Sequence, residues 1–503
     1  MLIMTTHRVS LTRVALGAAS LALVGACATP PAMAGSAAAE PAAQVVWGAC
    51  PEDVVAKAAP SRLDCATVPV PVDYADPASG EIDIMISRLA SQDPSKRRGV
   101  LLLNPGGPGG SGLTLAALLV AQGLPASVTD SYDVIGMDTR GIGYSAPVTC
   151  GFTVDGPYFA NIPPYAVDAA AVVERAAVAE GAAQQCAQND RDGLLRHLTT
   201  ANMARDLDRI RAALGEEKAS FLGYSYGSAL GAAYASLFPE RSDRIVLDSN
   251  VGDTHLDRDG MRRYALGMEQ TFPAFASWVA ERHDSYGLGR TADEVRATYA
   301  EIAARLDDEP VQGIDGATFR AATFGGLFNE RQYASTAQLW QSMRTGAPLP
   351  PAPGGPPDLV ALENSLSVFL SVTCNDVDWP EDVQTYQRAV AQDRERFPLY
   401  GAAAANITPC AYWPYEPAEA PVEIADEGPT DVLLVQNRYD PPTPYRGGEL
   451  LREKFGSRAR LVSVDASGHG AYVLGGNACA SDVTTRYLVD GEMPEDDVTC
   501  RAS

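Results

Sequence analysis

Short apolar runs recur along the chain and alternate with longer segments in which apolar residues have helical spacing. The runs are rich in Val, Leu and Ile and contain few polar residues, as expected of strands that are buried on both faces of a sheet. They are residues 99–103, 132–138, 219–224, 244–248, 431–436 and 460–464. The alternation of these runs with helices predicts an α/β fold, in which a mostly parallel sheet is flanked by helices.

Clear helix signals lie between the predicted strands. Thr199 and Thr200 are capping residues in front of a helix predicted at 201–214, which Gly215 closes. A second helix is predicted at 226–238, directly after one of the strands. Both helices fit the α/β pattern.

The strand pattern disappears between residues 248 and 431. Helix-forming segments and a Pro-rich stretch replace it. The helix-forming segments are 267–282, 292–306 and 332–343, and the Pro-rich stretch is 348–357. We therefore predict an inserted, mainly helical cap at residues 251–400. It separates a first part of the core, residues 46–250, from a C-terminal part, residues 401–503.

The N-terminus has the composition of an export signal, predicted at residues 1–34. Basic residues precede an apolar stretch at 14–26 that is too short for a comfortable membrane span. The segment ending at Cys27 resembles a bacterial lipobox, in which Cys27 would be lipidated and would anchor the protein to a membrane. An ordinary small-x-small cleavage site ending at Ala34 competes with it, and in that case Cys27 is removed. The Ala- and Pro-rich residues 28–45 are typical of a tether, so we expect a secreted or cell-surface protein.

Size and charge limit the classes of function. With 503 residues and 46% hydrophobic content, the chain can bury a large core, as one domain with an insertion or as two or three domains. The formal charge of −24 would repel a polyanion over most of the surface, so nucleic acid is not expected as a partner. The sequence does not indicate an oligomeric state.

The cysteine count also fits an exported protein. Nine Cys are present, and without Cys27 an even number remains, which favours disulfides in an oxidising compartment. No C-x-x-C or H-x-x-x-H pair occurs, so no metal site is expected. Many connectivities exist, and pairing neighbours along the chain gives Cys50–Cys65, Cys150–Cys186, Cys374–Cys410 and Cys479–Cys500.

The segment Gly223-Tyr224-Ser225-Tyr226-Gly227 lies where a predicted strand meets a predicted helix. This is the spacing of a nucleophile elbow, in which a strained turn exposes a serine and residues without a β-carbon relieve the crowding beside it. A G-x-S-x-G match arises easily by chance in a chain with 45 Gly. Chance seldom supplies the strand before it and the helix after it, and we predict that Ser225 is a nucleophile.

A serine nucleophile needs a general base within hydrogen-bond reach and a carboxylate that orients the base. In α/β hydrolases these residues follow the serine in the order Asp or Glu, then His. The chain has five His. Only His469 lies beyond the last predicted strand, and small residues, Gly468 and Gly470, flank it. His469 is therefore the predicted base.

The orienting acid is expected after the penultimate strand of the core. Asp440 follows the predicted strand at 431–436 and precedes a pair of prolines that stiffen its loop. Asp465 is the alternative, but it stands close to His469 along the chain. We predict that Asp440 orients the histidine.

The oxyanion of an acyl-transfer reaction needs backbone N–H donors. Tyr226 follows the nucleophile and supplies one predicted donor. The second is expected in the glycine-rich loop 104–112, where we choose Gly107, with Gly106 as its neighbour. Residues 107–112 also match the dinucleotide pattern G-x-G-x-x-G, but such a match is weak in so glycine-rich a loop, and a nucleotide would leave the predicted triad unexplained. No cofactor is expected.

Together these residues resemble the secreted tripeptidyl aminopeptidases, a group of proline-iminopeptidase-like α/β hydrolases. The resemblance rests on the segments 104–112, 138–145, 223–227, 439–441 and 468–470. It implies a catalytic triad of Ser225, Asp440 and His469, a helical cap over the site, and export with disulfides, often as a lipoprotein. Proline iminopeptidases usually have His before Gly-Gly-Pro-Gly, and Pro105 in that place favours the tripeptidyl branch.

The resemblance implies a serine exopeptidase that releases short peptides, expected to be tripeptides, from the free N-termini of peptide substrates. Carboxylates of the cap would bind the substrate ammonium, and Asp376, Asp378 and Glu330 are the candidates. A proline iminopeptidase, or a carboxylesterase or lipase, would use the same triad. A non-catalytic surface binding protein is an alternative of another class, but it would be expected to lack at least one triad residue.

Overall fold

The computed structural model describes residues 45–350 and 358–502. The predicted export signal and the candidate lipidation residue Cys27 lie outside the described residues. Among the helices of the described part, none combines the length and the apolar character needed to cross a membrane.

A single mixed sheet organises the described part of the chain, where it contains ten strands. The strands are β1 (Gly48–Ala49), β2 (Asp64–Pro71), β3 (Glu81–Leu89), β4 (Gly99–Asn104), β5 (Tyr132–Met137), β6 (Ala219–Tyr224), β7 (Ser242–Asp248), β8 (Val432–Tyr439), β9 (Ala459–Ser467) and β10 (Val498–Cys500). Their order in the sheet is β1-β2-β3-β5-β4-β6-β7-β8-β9-β10. The strands from β5 to β10 pair in parallel, which confirms the predicted mostly parallel α/β fold.

The apolar runs become the central strands because both faces of the sheet are covered. Along β4, Val100 and Leu102 point into one large apolar cluster, whereas Leu101 and Leu103 point into a second cluster on the other face. All six residues of β4 are buried. A strand covered on both sides needs apolar residues at successive positions, and this explains the uninterrupted runs.

The sequence pattern missed the antiparallel edge of the sheet. β1 pairs antiparallel with β2, β2 with β3, and β3 with β5. β2 and β3 are partly exposed and alternate polar with apolar residues, and β2 contains Pro69 and Pro71. Proline and the alternating pattern weaken the signal of a buried parallel strand.

Helices cover both faces of the sheet and fill a long insertion between β7 and β8. Before the insertion lie α1 (Glu52–Ala58), α2 (Leu115–Ala121), α3 (Ala126–Ser131), α4 (Ala169–Asn189), α5 (Thr200–Ala213) and α6 (Tyr226–Leu237). The insertion contains α7 (Arg258–Ala280), α8 (His283–Tyr286), α9 (Ala292–Asp308), α10 (Gly316–Gly326), α11 (Tyr333–Thr345), α12 (Leu359–Asp376), α13 (Val383–Arg396) and α14 (Gly401–Ala404). After β8 follow α15 (Tyr445–Phe455) and α16 (Ala478–Asp490). As predicted, the insertion is mainly helical.

The insertion between β7 and β8 covers residues 249–431 of the chain, and the cap was predicted within it at residues 251–400. The next core strand, β8, begins only at Val432, so the insertion continues beyond the predicted boundary at residue 400. Part of the first core segment joins it, because Val172 and Ala176 of α4 pack in one apolar cluster with Tyr386 and Ala402 of the insertion. A boundary drawn from the strand pattern could not detect this packing between distant segments.

Local capping and disulfides follow the sequence prediction closely. The Thr199 side chain accepts a hydrogen bond from the Asn202 N–H and caps α5. The structure contains the four disulfides that chain order suggested, Cys50–Cys65, Cys150–Cys186, Cys374–Cys410 and Cys479–Cys500. Two of these disulfides precede the insertion, one lies within it, and one follows it.

Candidate active site

The predicted nucleophile Ser225 lies in a sharp turn between β6 and α6. Its backbone has φ 58° and ψ −124°, a conformation that L-residues rarely adopt. A β-carbon on Gly223 would lie 2.3 Å from the carbonyl oxygen of Gly227, and one on Gly227 would lie 2.8 Å from the carbonyl oxygen of Asn104. Both glycines are therefore required by close backbone packing, as a nucleophile elbow demands.

The predicted acid and base are in direct contact. His469 Nδ1 lies 3.0 Å from both carboxylate oxygens of Asp440. The Asp440 side chain is fully buried, whereas 19% of the His469 side chain is exposed. Burial by itself would lower the pKa of His469, but the charge and hydrogen bond of Asp440, with a further contribution from Asp248, raise it above its ordinary value of 6.5.

The loop after β8 also contains Thr443, which contacts both members of this pair and which the sequence did not predict as a site residue. Thr443 donates its backbone N–H to Asp440 Oδ1 at 3.0 Å. Its hydroxyl oxygen lies 3.2 Å from His469 Nδ1. The cap also reaches this loop, since a β-carbon on Gly267 of α7 would lie 1.9 Å from the carbonyl oxygen of Pro441. The signal in the sequence was present, because a hydroxyl stands three positions after the predicted acid.

The elbow and the histidine loop are joined through the end of β7. The Ser225 N–H donates to the Asp248 carbonyl at 2.9 Å. The Asp248 carboxylate accepts the N–H groups of Ala471 and Tyr472. The structure thus brings the neighbourhoods of Ser225 and His469 together through one residue, Asp248, that the sequence analysis placed only at the end of a strand.

The glycine-rich loop after β4 lies against the elbow. A β-carbon on Gly106 would lie 2.8 Å from Ser225 Cβ and 3.1 Å from the Tyr226 nitrogen. The Gly106 N–H already donates to Asn104 Oδ1 at 2.9 Å. In the described part of the chain the Gly107 N–H has no acceptor. Gly107 therefore suits the predicted role of second oxyanion donor better than Gly106 does.

The same loop is also packed against the cap. A β-carbon on Gly109 would lie 2.6 Å from the carbonyl oxygen of Ser365 in α12. The glycines at 106 and 109 thus serve close backbone packing against the elbow and the cap. This packing accounts for the glycine pattern without a nucleotide.

An open groove of about 580 Å³ runs beside His469. Its wall includes Phe328, whose ring centroid lies 5.5 Å from that of His469. Two acidic residues, Glu330 and Asp465, also line it. Arg331 on the same wall donates to Gln122. Two carboxylates against one guanidinium among the lining residues give the groove a negative excess when His469 is neutral, which favours a cationic group.

The three carboxylates proposed for ammonium binding lie in different places. Glu330 lines the groove beside His469. Asp376 is buried at the end of α12, and its two oxygens accept the N–H and the hydroxyl of Thr200 at 2.8 and 2.6 Å. Asp378 is exposed and lines another cavity. The structure therefore brings only Glu330 of the three to the groove of His469.

Asp376 still has a link to the elbow. The Thr200 hydroxyl that donates to Asp376 lies 2.6 Å from the Tyr226 hydroxyl. Burial raises the pKa of Asp376 to about 7, against the lowering effect of the hydrogen bonds from Thr200. These contacts make Asp376 a connection between the cap helix α12 and the helices α5 and α6.

Comparison with known proteins identifies close relatives of this chain. Residues 397–500 match the family model described as TAP-like protein. The chain is 33% identical over 463 residues to the tripeptidyl aminopeptidase of Streptomyces coelicolor, covering 88% of this chain and 83% of that protein. It is 29% identical over 521 residues to serine protease Hip1 of Mycobacterium tuberculosis, covering 97% and 96% of the two chains. Carboxylesterase B of the same organism is 28% identical over 479 residues, with 91% and 90% covered.

Proposed function

Since this chain belongs to the tripeptidyl aminopeptidase family and is a serine peptidase, we propose that it releases tripeptides from the free N-termini of peptide substrates. The proposal is supported by the α/β fold, by the sharp turn at Ser225 between β6 and α6, and by the contact of His469 with Asp440. The contact of His469 with the fully buried Asp440 carries the mechanism, because it fixes the imidazole ring and its tautomer.

The proposed reaction begins with attack of Ser225 Oγ on the carbonyl carbon of the third substrate residue, while His469 Nε2 accepts the hydroxyl proton. Asp440 stabilises the resulting imidazolium. The N–H groups of Gly107 and Tyr226 stabilise the oxyanion. His469 then protonates the leaving amine, and a water molecule, deprotonated by His469, hydrolyses the acyl-enzyme. The reaction needs no cofactor.

The acidic groove beside His469 supports action on a cationic end of a substrate. A free N-terminus carries an ammonium group, which carboxylates bind through charge-assisted hydrogen bonds. Glu330 and Asp465 present carboxylates to this groove. We assign Glu330 as the main ammonium ligand and Asp465 as a second negative charge.

Two measurements test this proposal. Replacing Ser225 with Ala is expected to abolish labelling by a fluorophosphonate probe, and persistent labelling of another serine would rule out Ser225 as the nucleophile. Tripeptide anilides with free and with acetylated N-termini then test specificity. We expect acetylation to lower kcat/KM strongly, and equal rates on the two substrates would exclude an aminopeptidase.

An esterase is the second candidate function, because the relative named carboxylesterase B covers nearly the whole chain. The triad would serve ester hydrolysis equally well, and only the cap would differ in what it admits. Faster hydrolysis of short acyl esters than of every peptide anilide would favour the esterase. A preference for single-residue anilides would instead favour a proline iminopeptidase.

We further propose that the protein is exported and acts in the envelope or outside the cell. Four disulfides in the folded part support an oxidising compartment. Mass spectrometry of the mature N-terminus tests the route, since a diacylglycerol mass on Cys27 indicates a membrane-anchored lipoprotein and a start at Gly35 indicates a free secreted chain. A mature chain that begins at Met1 would contradict export.

A further inference from the structure

A second buried carboxylate lies behind the predicted triad. Asp248 and its neighbour Ser249 are completely buried at the end of β7. Asp248 Oδ1 lies 2.9 Å from the Ala471 nitrogen, and Oδ2 lies 2.6 Å from the Tyr472 nitrogen. The Ser249 hydroxyl donates to Oδ1 at 3.1 Å. Every hydrogen-bond partner that the described residues offer this carboxylate is a donor, so these bonds favour its ionised form and oppose the effect of burial.

Ser249 extends the same support toward the base. Its hydroxyl oxygen accepts the Gly470 N–H at 2.8 Å, next to His469 in the chain. Asp248 and Ser249 therefore bind three successive N–H groups, those of residues 470, 471 and 472. The backbone of Asp248 at the same time accepts the Ser225 N–H. One residue thus fixes the positions of the nucleophile and of the histidine loop relative to each other.

The charge of Asp248 also acts on the base. Asp248 raises the pKa of His469, in addition to the larger effect of Asp440. Burial raises the pKa of Asp248 to about 7, against the lowering effect of its hydrogen bonds from Tyr472, Ala471 and Ser249. The ionisable groups around Asp248 are Asp440, His469, Tyr224 and Tyr472. The charge of Asp248 adds to the effect of burial in raising the pKa of Tyr224.

We propose that Asp248 is a positioning residue of this active site, whose ionised carboxylate holds the His469 loop on the nucleophile elbow and adds a second negative charge that favours the imidazolium. The proposal rests on the proposed function only in requiring Ser225 to be the nucleophile and His469 to be the base. It does not depend on which acyl group the enzyme accepts. Asp248 acts through His469 and does not itself touch the reacting atoms.

The test uses the rate at which a fluorophosphonate inactivates the full-length protein, measured as a function of pH. This readout requires the nucleophile and the base but no peptide specificity. Asp248→Asn is expected to slow inactivation about tenfold or more at the optimum. The rate should fall on the acidic side of its pH profile as His469 becomes protonated, and we call this fall the acidic limb. Asp248→Asn should move the acidic limb to lower pH, because an amide carries no charge to favour the imidazolium. A purely structural role would lower the melting temperature without moving this limb.

Asp431→Asn is the matched control. Asp431 is also buried, and burial raises its pKa to about 6 against the effect of its ion pair with Arg458. It precedes β8 and stands at the opposite end of that strand from Asp440, roughly 25–30 Å away along an extended chain. We expect Asp431→Asn to lower the melting temperature and to leave the acidic limb in place.

The proposal would be overturned if the acidic limb of Asp248→Asn coincided with that of the unmodified protein and if its rate changed no more than that of Asp431→Asn. If Asp248→Asn does not fold, Ser249→Ala gives the second test. This variant removes one donor to Asp248 and the acceptor of the Gly470 N–H, and a smaller shift in the same direction is expected. An unchanged limb would overturn the proposal here too. Failure of the unmodified protein to react at Ser225 would instead refute the proposed function.

Discussion

The hydroxyl oxygen of Thr443 lies 3.2 Å from Nδ1 of His469, the same atom that contacts both oxygens of Asp440. The imidazole N–H is therefore directed at two polar groups, the Asp440 carboxylate and the Thr443 hydroxyl. Asp440 supplies the charge, and Thr443 supplies a second contact while its backbone N–H holds Asp440 in place. Residues 440–443 thus supply both of the side chains that contact Nδ1 of the predicted base.

Removal of the Thr443 hydroxyl is expected to lower activity without unfolding the protein. Thr443→Ala removes the contact with His469 but keeps the backbone bond to Asp440, so kcat/KM should fall about three- to tenfold, the effect of one modest hydrogen bond. Thr443→Ser keeps the hydroxyl and should retain most activity. Steady-state kinetics on one peptide anilide compares the two variants, and equal losses would assign the effect to the methyl group.

A side chain at position 106 is expected to destroy the site. In Gly106→Ala the new β-carbon would lie 2.5 Å from the Tyr224 carbonyl oxygen and 2.8 Å from Ser225 Cβ. We expect a loss of at least about a hundredfold in kcat/KM, since displacement of the elbow removes the aligned geometry. Gly80→Ala is the control, because Gly80 also has a positive φ, 92°, but its β-carbon would meet no atom within 4 Å. Equal activity of the two variants would contradict this packing argument.

The pH dependence of kcat/KM follows from the raised pKa of His469. The base must be neutral to accept the Ser225 proton, so activity is lost as the pH falls through the pKa of the free enzyme. Because Asp440 raises that pKa, the acidic limb should lie above 6.5. Asp440→Asn should lower the activity and shift the remaining limb to lower pH. A limb that stays at the same pH in this variant would show that another group controls it.

The buried Asp376 should make the protein less stable as the pH rises. Its pKa is about 7 in the folded protein and near 3.8 in an unfolded chain. Between these values the folded state binds a proton that the unfolded state has lost, so the free energy of unfolding decreases with pH by about 1.4 kcal/mol per unit from this group. The contribution is complete below the lower value and is lost as the pH rises toward 7.

Asp376→Asn is expected to remove this component of the slope. An amide can still accept the Thr200 N–H with its oxygen, and its NH₂ group can donate to the Thr200 hydroxyl. Urea unfolding between about pH 4.5 and 6.5 should give a slope that is less negative by about 1.4 kcal/mol per unit than that of the unmodified protein. Identical slopes would mean that Asp376 is ionised in the folded state throughout this range.

The groove beside His469 predicts a selective effect of Glu330. Glu330→Gln should raise KM for a tripeptide anilide with a free N-terminus and leave the low rate on the acetylated substrate unchanged, because only the first carries an ammonium group. We expect a decrease of about tenfold in kcat/KM. Asp378→Asn removes a carboxylate from a different cavity and serves as the comparison. An effect of Asp378→Asn alone would move the ammonium site away from this groove.

The sequence by itself determined the parts of this protein that depend on local pattern. Uninterrupted apolar runs identified the central parallel strands, because a strand covered on both faces must be apolar at every position. The glycines around Ser225 identified the elbow, since only residues without a β-carbon fit beside that turn. Chain order then singled out His469 and Asp440, which the structure places in contact.

Only the tertiary structure decided which other residues support the site. Asp248 and Ala471 are 223 positions apart, and Thr200 and Asp376 are 176 positions apart, yet each pair shares a buried hydrogen bond. No local pattern encodes such a contact, because it depends on where the folded sheet and cap bring the chain. For the same reason the sequence proposed Asp376, Asp378 and Glu330 as equals, whereas packing buried the first, exposed the second elsewhere and left Glu330 beside His469.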